Sequence, residues 1–277
     1  MVGWLIWLST HLLGNNEFTV RLPAFISWVI AALFLYRLTI NLFDKSTAIR
    51  SLVLIVALPI FFTTGCFMTP DLPMYAAWSA ALYFLERALL GQKRHAWYGV
   101  GISLGLGLLS KYTIGLMDIA TLAFILIDRK SRRWLARPEP YLAAIMAAVI
   151  FSPVIIWNYN NDWASFFFQG PRRWSGDSKF SLHLLLGGAL ILLTPTGLVA
   201  VVKVPIKKNR PIPDSYAKAK PTGRNRLFLM IYTLIPLAVF IIFSLHSQLK
   251  LNWTEPVWIA ALPLVAWDTA ESGQEPL

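Results

Sequence analysis

The stretch FMTPDLPMYAAW, residues 67–78, sets a single carboxylate, Asp71, between Pro70 and Pro73 in apolar surroundings. A buried charge is costly unless it is paired or used. Two uses fit: Asp71 caps the helix that Pro73 opens, or it handles a proton or a cation during chemistry. Elsewhere in the chain stand the cations Arg21, Lys111, Arg172, Arg173 and Lys250 and the aromatic residues Trp163, Phe166, Phe167, Phe168, Trp174 and Trp253. One acid, several cations and a set of rings suit a lipid-linked phosphate. The cations would neutralise the phosphate, the rings would hold a sugar or sit at headgroup level, and apolar helices would accept a polyprenyl tail.

Each of these residues also has a plainer reading. Lys111 lies between GISLGLGLLS and YTIGLM and could snorkel to the interface. Arg21 could be a flanking charge, Trp253 part of an aromatic belt, and Arg172 with Arg173 a solvated loop pair. His11 reads as an interfacial polar residue. No pair of His, Cys or acidic residues has metal-ligand spacing, so a divalent ion at Asp71 stays open. No phosphate-binding Walker loop, dinucleotide fingerprint or nucleophile elbow is present. The residues alone therefore define an outward-facing polar site in a membrane protein, without selecting a reaction.

The elements that must position these residues are membrane helices. Of 277 residues, 56% are hydrophobic and only 14% charged, against roughly 25% charged in soluble proteins. The apolar residues come in long runs, and runs of about 18 or more read as spans. Nine are expected, at 22–42, 49–65, 73–90, 97–109, 113–127, 140–157, 182–202, 227–245 and 253–267. They follow an N-terminal surface helix, MVGWLIWLSTHLLG. Helices are the expected form because lipid offers no partner for open backbone groups. The fold class is thus all-α, a polytopic transmembrane bundle forming one domain over 1–277.

The net charge of +11 is distributed by topology and does not point to nucleic acid. The connectors 37–50, 87–94, 129–137 and 203–226 hold 19 of the 25 Lys and Arg residues, which makes that side cytoplasmic. The last of them, 203–226, reads as a solvated basic loop. Residues 1–21, the Asp71 turn, Lys111, the loop 158–180 and the loop 246–255 then face outward. Cys66 is the only cysteine, so no intrachain disulfide can form.

Five stretches in order, LLGNNEFTVRLPAF, FMTPDLPMYAAWSAALYF, GLGLLSKYTIGL, FSPVIIWNYNNDWASFFFQG and LKLNWTEPVWIAALP, resemble the bacterial GT-C glycosyltransferases. The similarity is to the protein-mannosyltransferase-like family (glycosyltransferase family 39) and its aminoarabinose and galacturonosyl lipid A transferase relatives. The resemblance implies transfer of a sugar from a polyprenyl-phosphate carrier to a lipid, glycan or protein acceptor on the outer face of the bacterial inner membrane. It implies Asp71 as the acid of the second outer turn, acting on the acceptor side, through a divalent ion or in support of a base. It implies Lys111, Arg21 and Lys250 at the donor phosphate, and Trp163, Gln169, Arg172 and Trp253 at substrate.

The chain departs from the family at both ends. Met1 falls just after the point where the first outer loop should end, so the first helix and the loop's acidic motif are expected to be missing. The C-terminus also arrives before the last spans of many relatives. Near Trp253, Thr254 and Glu255 intervene before Pro256 in the outer motif. The alternatives are a transporter or flippase for a lipid-linked or anionic solute, and a non-catalytic fragment that binds polyprenyl phosphate. The lack of an internal repeat counts against a transporter.

Overall fold

The computed structural model describes residues 1–59, 65, 67–170, 180–206, 223–248 and 250–272. It is helical, with no strand among the described residues. Among the described residues eleven α-helices follow one another: α1 Val2–Leu13, α2 Glu17–Leu42, α3 Lys45–Ala57, α4 Asp71–Leu85, α5 Ala96–Ser110, α6 Leu116–Ile127, α7 Pro138–Tyr159, α8 Ala164–Gln169, α9 Leu182–Ile206, α10 Gly223–Ser244 and α11 Glu255–Ser272. A π-turn, Glu86–Leu90, extends α4, and 3-10 turns at Tyr112–Gly115 and Leu251–Trp253 precede α6 and α11.

Local sequence sets the boundaries. Asn16 and Thr19 form a reciprocal capping box at the start of α2: Asn16 Oδ1 accepts from the Thr19 amide at 3.0 Å, and Thr19 Oγ1 accepts from the Asn16 amide at 3.2 Å. Asp44 caps α3 by accepting from the Thr47 amide at 2.7 Å. At 12 residues α1 is only about 18 Å long. It lies against α2, with Ser9 Oγ donating to the Thr19 carbonyl at 2.6 Å.

Two helices form the interior. Asp71 through Leu82 of α4 and Glu255 through Ala266 of α11 are buried on every face, as expected of helices apolar all round. By contrast α7 buries only Ala143, Ala147, Phe151 and Asn158. That single stripe meets α5 at Gly101 and Gly105, where a Cβ would stand 2.6 Å from the Ala143 carbonyl oxygen and 2.7 Å from Ile150 Cβ. Small residues at a spacing of four let two membrane helices approach closely. The remaining faces of α7 present Ile145, Val149, Ile156 and Trp157 outward.

Every expected span overlaps a helix, wholly or over its described part. By length and composition three helices suffice to cross a membrane alone: α2, α7 and α10. A fourth crossing arises if α9 counts as one span. The helix over the span expected at 182–202 is bent by 105°. Thr194 leaves the helical region there, with φ +63°. Pro195 accounts for the break in the helix, since proline lacks the N–H of the ladder and disfavours the α conformation for the residue before it, but it does not account for the positive φ.

Candidate active site

Asp71 is the first residue of α4, and Pro70 occupies the capping position, so no side chain caps this helix. The capping role expected of Asp71 is therefore corrected: its carboxylate turns away from its own helix. Lys111 Nζ donates to Asp71 Oδ1 at 2.5 Å, and Asn252 Nδ2 donates to Oδ2 at 2.9 Å. The acid is 5% exposed as a residue. Its position at a helix N-terminus, where the backbone dipole favours negative charge, offsets part of the cost of burying it.

Lys111 closes α5 in an extended conformation, its amide donating to the Gly107 carbonyl at 2.8 Å. The next residue fixes the corner. Tyr112 Oη and Ser165 Oγ share a hydrogen bond of 2.6 Å, and Asn158 Oδ1 accepts from the Ser165 amide at 3.1 Å. The Tyr112 ring also lies against Phe151 and Phe166. In this way α7 and α8 hold the turn from which Lys111 reaches Asp71. Lys111 neither snorkels freely nor stands alone.

These residues border a cavity of about 670 Å³. Its lining mixes polar side chains, among them Asp71, Lys111, Tyr112, Gln169, Lys250, Asn252 and Trp253, with apolar ones, among them Leu108, Leu116, Val154, Val239, Phe240 and Phe243. The structure thus brings Asp71, Lys111, Gln169, Lys250 and Trp253 to one space. Arg21 is not on the cavity wall: it pairs with Glu17 one turn away at 2.5 Å and lies 5.9 Å from the centre of the Phe67 ring. Trp163 is also outside the wall, with its ring stacked on Phe166 at 5.8 Å. Arg172 lies outside the described residues, as do Arg173, Trp174 and most of the connector 203–226.

Two residues of this end were not singled out in the sequence. Asn252 gives no signal beyond its place in LNWTEP. Glu255 opens α11 at 3% exposure, and its Oε2 has no hydrogen-bond partner among the described residues. The signal was an acid beside a proline at the head of an apolar helix, the same pattern that drew attention to Asp71. The donor set does not fit a divalent ion, because both Asp71 oxygens are engaged and one of them by an ammonium. Among the described residues no group of three or more His, Cys, Asp or Glu gathers in metal-binding geometry.

The opposite end of the helices holds a second ion pair. Arg224 at the start of α10 donates through Nε to Asp128 Oδ1 at 3.0 Å and through Nη2 to Oδ2 at 2.6 Å. It also reaches the Leu89 carbonyl at 3.2 Å, while Ser131 Oγ donates to Asp128 Oδ2 at 2.6 Å. Burial works to raise the Asp128 carboxyl, but the hydrogen bonds from Arg224 and Ser131 and the Arg224 charge outweigh it and hold the group below its ordinary range. Asn225 donates to the Leu42 carbonyl and Asn41 to Glu86 at this end as well. Hydrogen bonds thus join the ends of α2, α4, α6 and α10, the sites of the four basic connectors.

Solved structures share the fold of this helical bundle. ArnT from Cupriavidus metallidurans, solved bound to undecaprenyl phosphate, superposes with a TM-score of 0.74 at 19% identity, covering 98% of this chain and 49% of that one. The Archaeoglobus fulgidus oligosaccharyltransferase gives a TM-score of 0.54 at 16% identity, over 98% and 42% of the two chains.

The family model for dolichyl-phosphate-mannose-protein mannosyltransferase matches residues 1–157, and the chain belongs to that family. It is similar to the undecaprenyl phosphate-alpha-4-amino-4-deoxy-L-arabinose arabinosyl transferase of Erwinia tasmaniensis, 25% identical over 258 residues. That match covers 86% of this chain and 43% of the relative, so the chain spans less than half the length of the relative.

Proposed function

We propose that the chain binds the phosphate of a polyprenyl-phosphate-linked sugar at Lys111 and takes part in moving that sugar to a lipid, glycan or protein acceptor. The observation that carries this reading is the Asp71–Lys111 pair on the lining of a cavity that also presents Lys250 and apolar side chains. Both kinds of lining residue suit such a donor, which joins an anionic phosphate to a hydrocarbon chain. The name of the Erwinia relative and the undecaprenyl phosphate in the Cupriavidus ArnT structure support it.

In the reaction, the acceptor oxygen forms a bond to the sugar's C1 while the bond from C1 to the phosphate oxygen breaks. The bonding pair leaves on the phosphate and the acceptor proton goes to a base. Lys111 and Lys250 would stabilise the charge developing on the leaving phosphate. Asp71 would orient the acceptor hydroxyl or support the base. Gln169 and Trp253 would border the sugar, and Trp163 and Arg172 would belong to the outer loop 158–180. The helices would make nine crossings in a single domain, with this cavity at the periplasmic face of the inner membrane and the four basic connectors in the cytoplasm.

The test is a titration of the 277-residue chain in nanodiscs with undecaprenyl phosphate and, separately, with undecaprenol, its uncharged counterpart. Binding of the phosphate and not the alcohol is the expected result. Asp71→Asn should keep phosphate binding and lower sugar transfer. Equal binding of both lipids would remove the phosphate site from the proposal. Net flux of a lipid-linked solute through liposomes without sugar transfer would make the chain a transporter.

A further inference from the structure

The end of the bundle that carries Asp128 and Arg224 holds more positive charge than its acids balance. The connectors 87–94 and 129–137 together contain eight Lys or Arg residues. The acids that flank them are already engaged. Glu86 accepts from Asn41 at 2.8 Å, Asp128 receives the fork of Arg224, and Glu139 pairs with Arg94 at 3.6 Å.

The two connectors are tied into one frame. A 3-10 turn, Arg132–Ala136, buries Trp134 edge-on against Trp97 of α5, with ring centres 5.5 Å apart. Arg133 Nη2 donates to Gln92 Oε1 of the other connector. Tyr141 Oη donates to the Leu135 carbonyl at 2.7 Å and so fixes the turn to the start of α7. On this frame the guanidinium groups of Arg133 and Arg137 lie 5.9 and 5.7 Å from the centre of the same Trp134 ring. An indole face attracts a cation, but two cations on one ring repel each other. Among the described residues neither arginine is in an ion pair. An anion beside both would relieve the repulsion.

The adjoining surface indicates what carries that anion. Arg137, the residue before α7, is followed by Tyr141, Ile145 and Val149 at a spacing of four, which places them along one side of the helix. The last three are exposed. By length and composition α7 is able to cross a membrane alone, so this row meets hydrocarbon. It runs about 18 Å from Arg137 to Val149. A soluble phosphate or nucleotide would use the arginines and leave the row untouched; a phospholipid uses both.

We propose that this end of the chain holds an anionic phospholipid, its phosphate at Arg133 and Arg137 and an acyl chain along Tyr141, Ile145 and Val149. Arginine suits the phosphate because its planar fork donates two parallel hydrogen bonds. Basic pockets between membrane helices bind phospholipid head groups in this way. The ring of Trp134 and the bond to Gln92 hold the arginines in place before the lipid arrives, which lowers the entropy cost of binding. The site is separate from the cavity at Asp71 and does not depend on the sugar-transfer reading.

The experiment is native mass spectrometry of the full chain in detergent, offered equal amounts of phosphatidylglycerol and phosphatidylcholine with the same acyl chains. The unmodified chain should retain phosphatidylglycerol in preference, and excess inorganic phosphate should not displace it. Arg133→Gln combined with Arg137→Gln should cut that preference by roughly thirtyfold, the loss of two basic side chains at an anionic head group. Arg37→Gln combined with Lys45→Gln removes the same charge from exposed positions elsewhere at this end and should leave the preference in place. Leu135→Glu sets a carboxylate at an exposed position beside Trp134 and should also weaken retention. If the double arginine variant does not fold, Leu135→Glu decides alone. No preference in the unmodified chain, or an unaltered one in the double arginine variant, would overturn the inference. An equal loss in the Arg37 and Lys45 variant would reduce it to net charge, and displacement by inorganic phosphate would make the ligand a soluble anion; either result overturns it. So would loss of the preference in Lys111→Ala, which would put the lipid in the cavity at the opposite end.

Discussion

Two ion pairs sit at opposite ends of this bundle, and they differ in how completely they are satisfied. Asp128 receives a two-pronged contact from Arg224 and a third hydrogen bond from Ser131, and Arg224 spends a further donor on the Leu89 carbonyl. Asp71 receives one bond from a lysine and one from Asn252, and it lines a cavity. The first pair uses the rigid fork of arginine, which matches a carboxylate geometrically. The second uses lysine, a point charge that can turn to another anion. Acid and base are present at both ends; spare bonding capacity and open space are present at one. The saturated pair ties α4, α6 and α10 together, and the unsaturated pair is where a ligand can enter.

That contrast breaks most visibly at the saturated end. Arg224→Ala leaves Asp128 buried without its counter-charge and should destabilise the fold by about 3–5 kcal/mol. Thermal melting in detergent would read this, and the protein that remains folded should still bind undecaprenyl phosphate normally. A matching loss of phosphate binding in the folded fraction would mean that the two ends are not separable.

At the open end the signature should be reversed. Lys111→Ala is expected to weaken undecaprenyl phosphate binding by about ten- to a hundredfold, as for a charge-assisted bond of roughly 1.5–3 kcal/mol. Its melting temperature should fall less than that of Arg224→Ala, because water in the cavity can reach Asp71. A larger melting effect than for Arg224→Ala would make the Asp71–Lys111 pair structural.

Acid should sharpen the same comparison. The folded Asp128 carboxyl is held below its ordinary value of 3.8. Its stabilising contribution is therefore complete above that value and is lost as pH falls below it towards the folded value. Stability measured from pH 6 down to pH 3 should decline at the acid end, and Asp128→Asn should flatten that part of the decline. The effect should be a fraction of that of Arg224→Ala, since a protonated acid still accepts one hydrogen bond.

The smallest effect is expected at the corner that aims Lys111. Tyr112→Phe removes the hydroxyl shared with Ser165 and keeps the ring contacts, and should cost about 1 kcal/mol. It should also weaken phosphate binding slightly, by less than Lys111→Ala. Unchanged stability and binding would show that the aromatic contacts alone hold the turn.

The sequence by itself determined the helices. The hydrophobic runs mark the expected spans, and the Pro and capping residues mark several ends, because hydropathy and backbone chemistry act over neighbouring residues; α8, Ala164–Gln169, lies in what reads as the loop 158–180. It also pointed to Asp71, Lys111, Gln169, Lys250 and Trp253, which line one cavity in the structure. The break at Thr194 was in principle legible from Pro195, yet the apolar run outweighed it. Only the tertiary structure decided what each polar side chain touches. It turned Asp71 from its own helix to Lys111, 40 residues away, and to Asn252, 181 residues away. It left Arg21, in a local pair with Glu17, off the cavity lining. Burial and charge pairing at such separations depend on how the helices pack side by side, and no local pattern of residues encodes that arrangement.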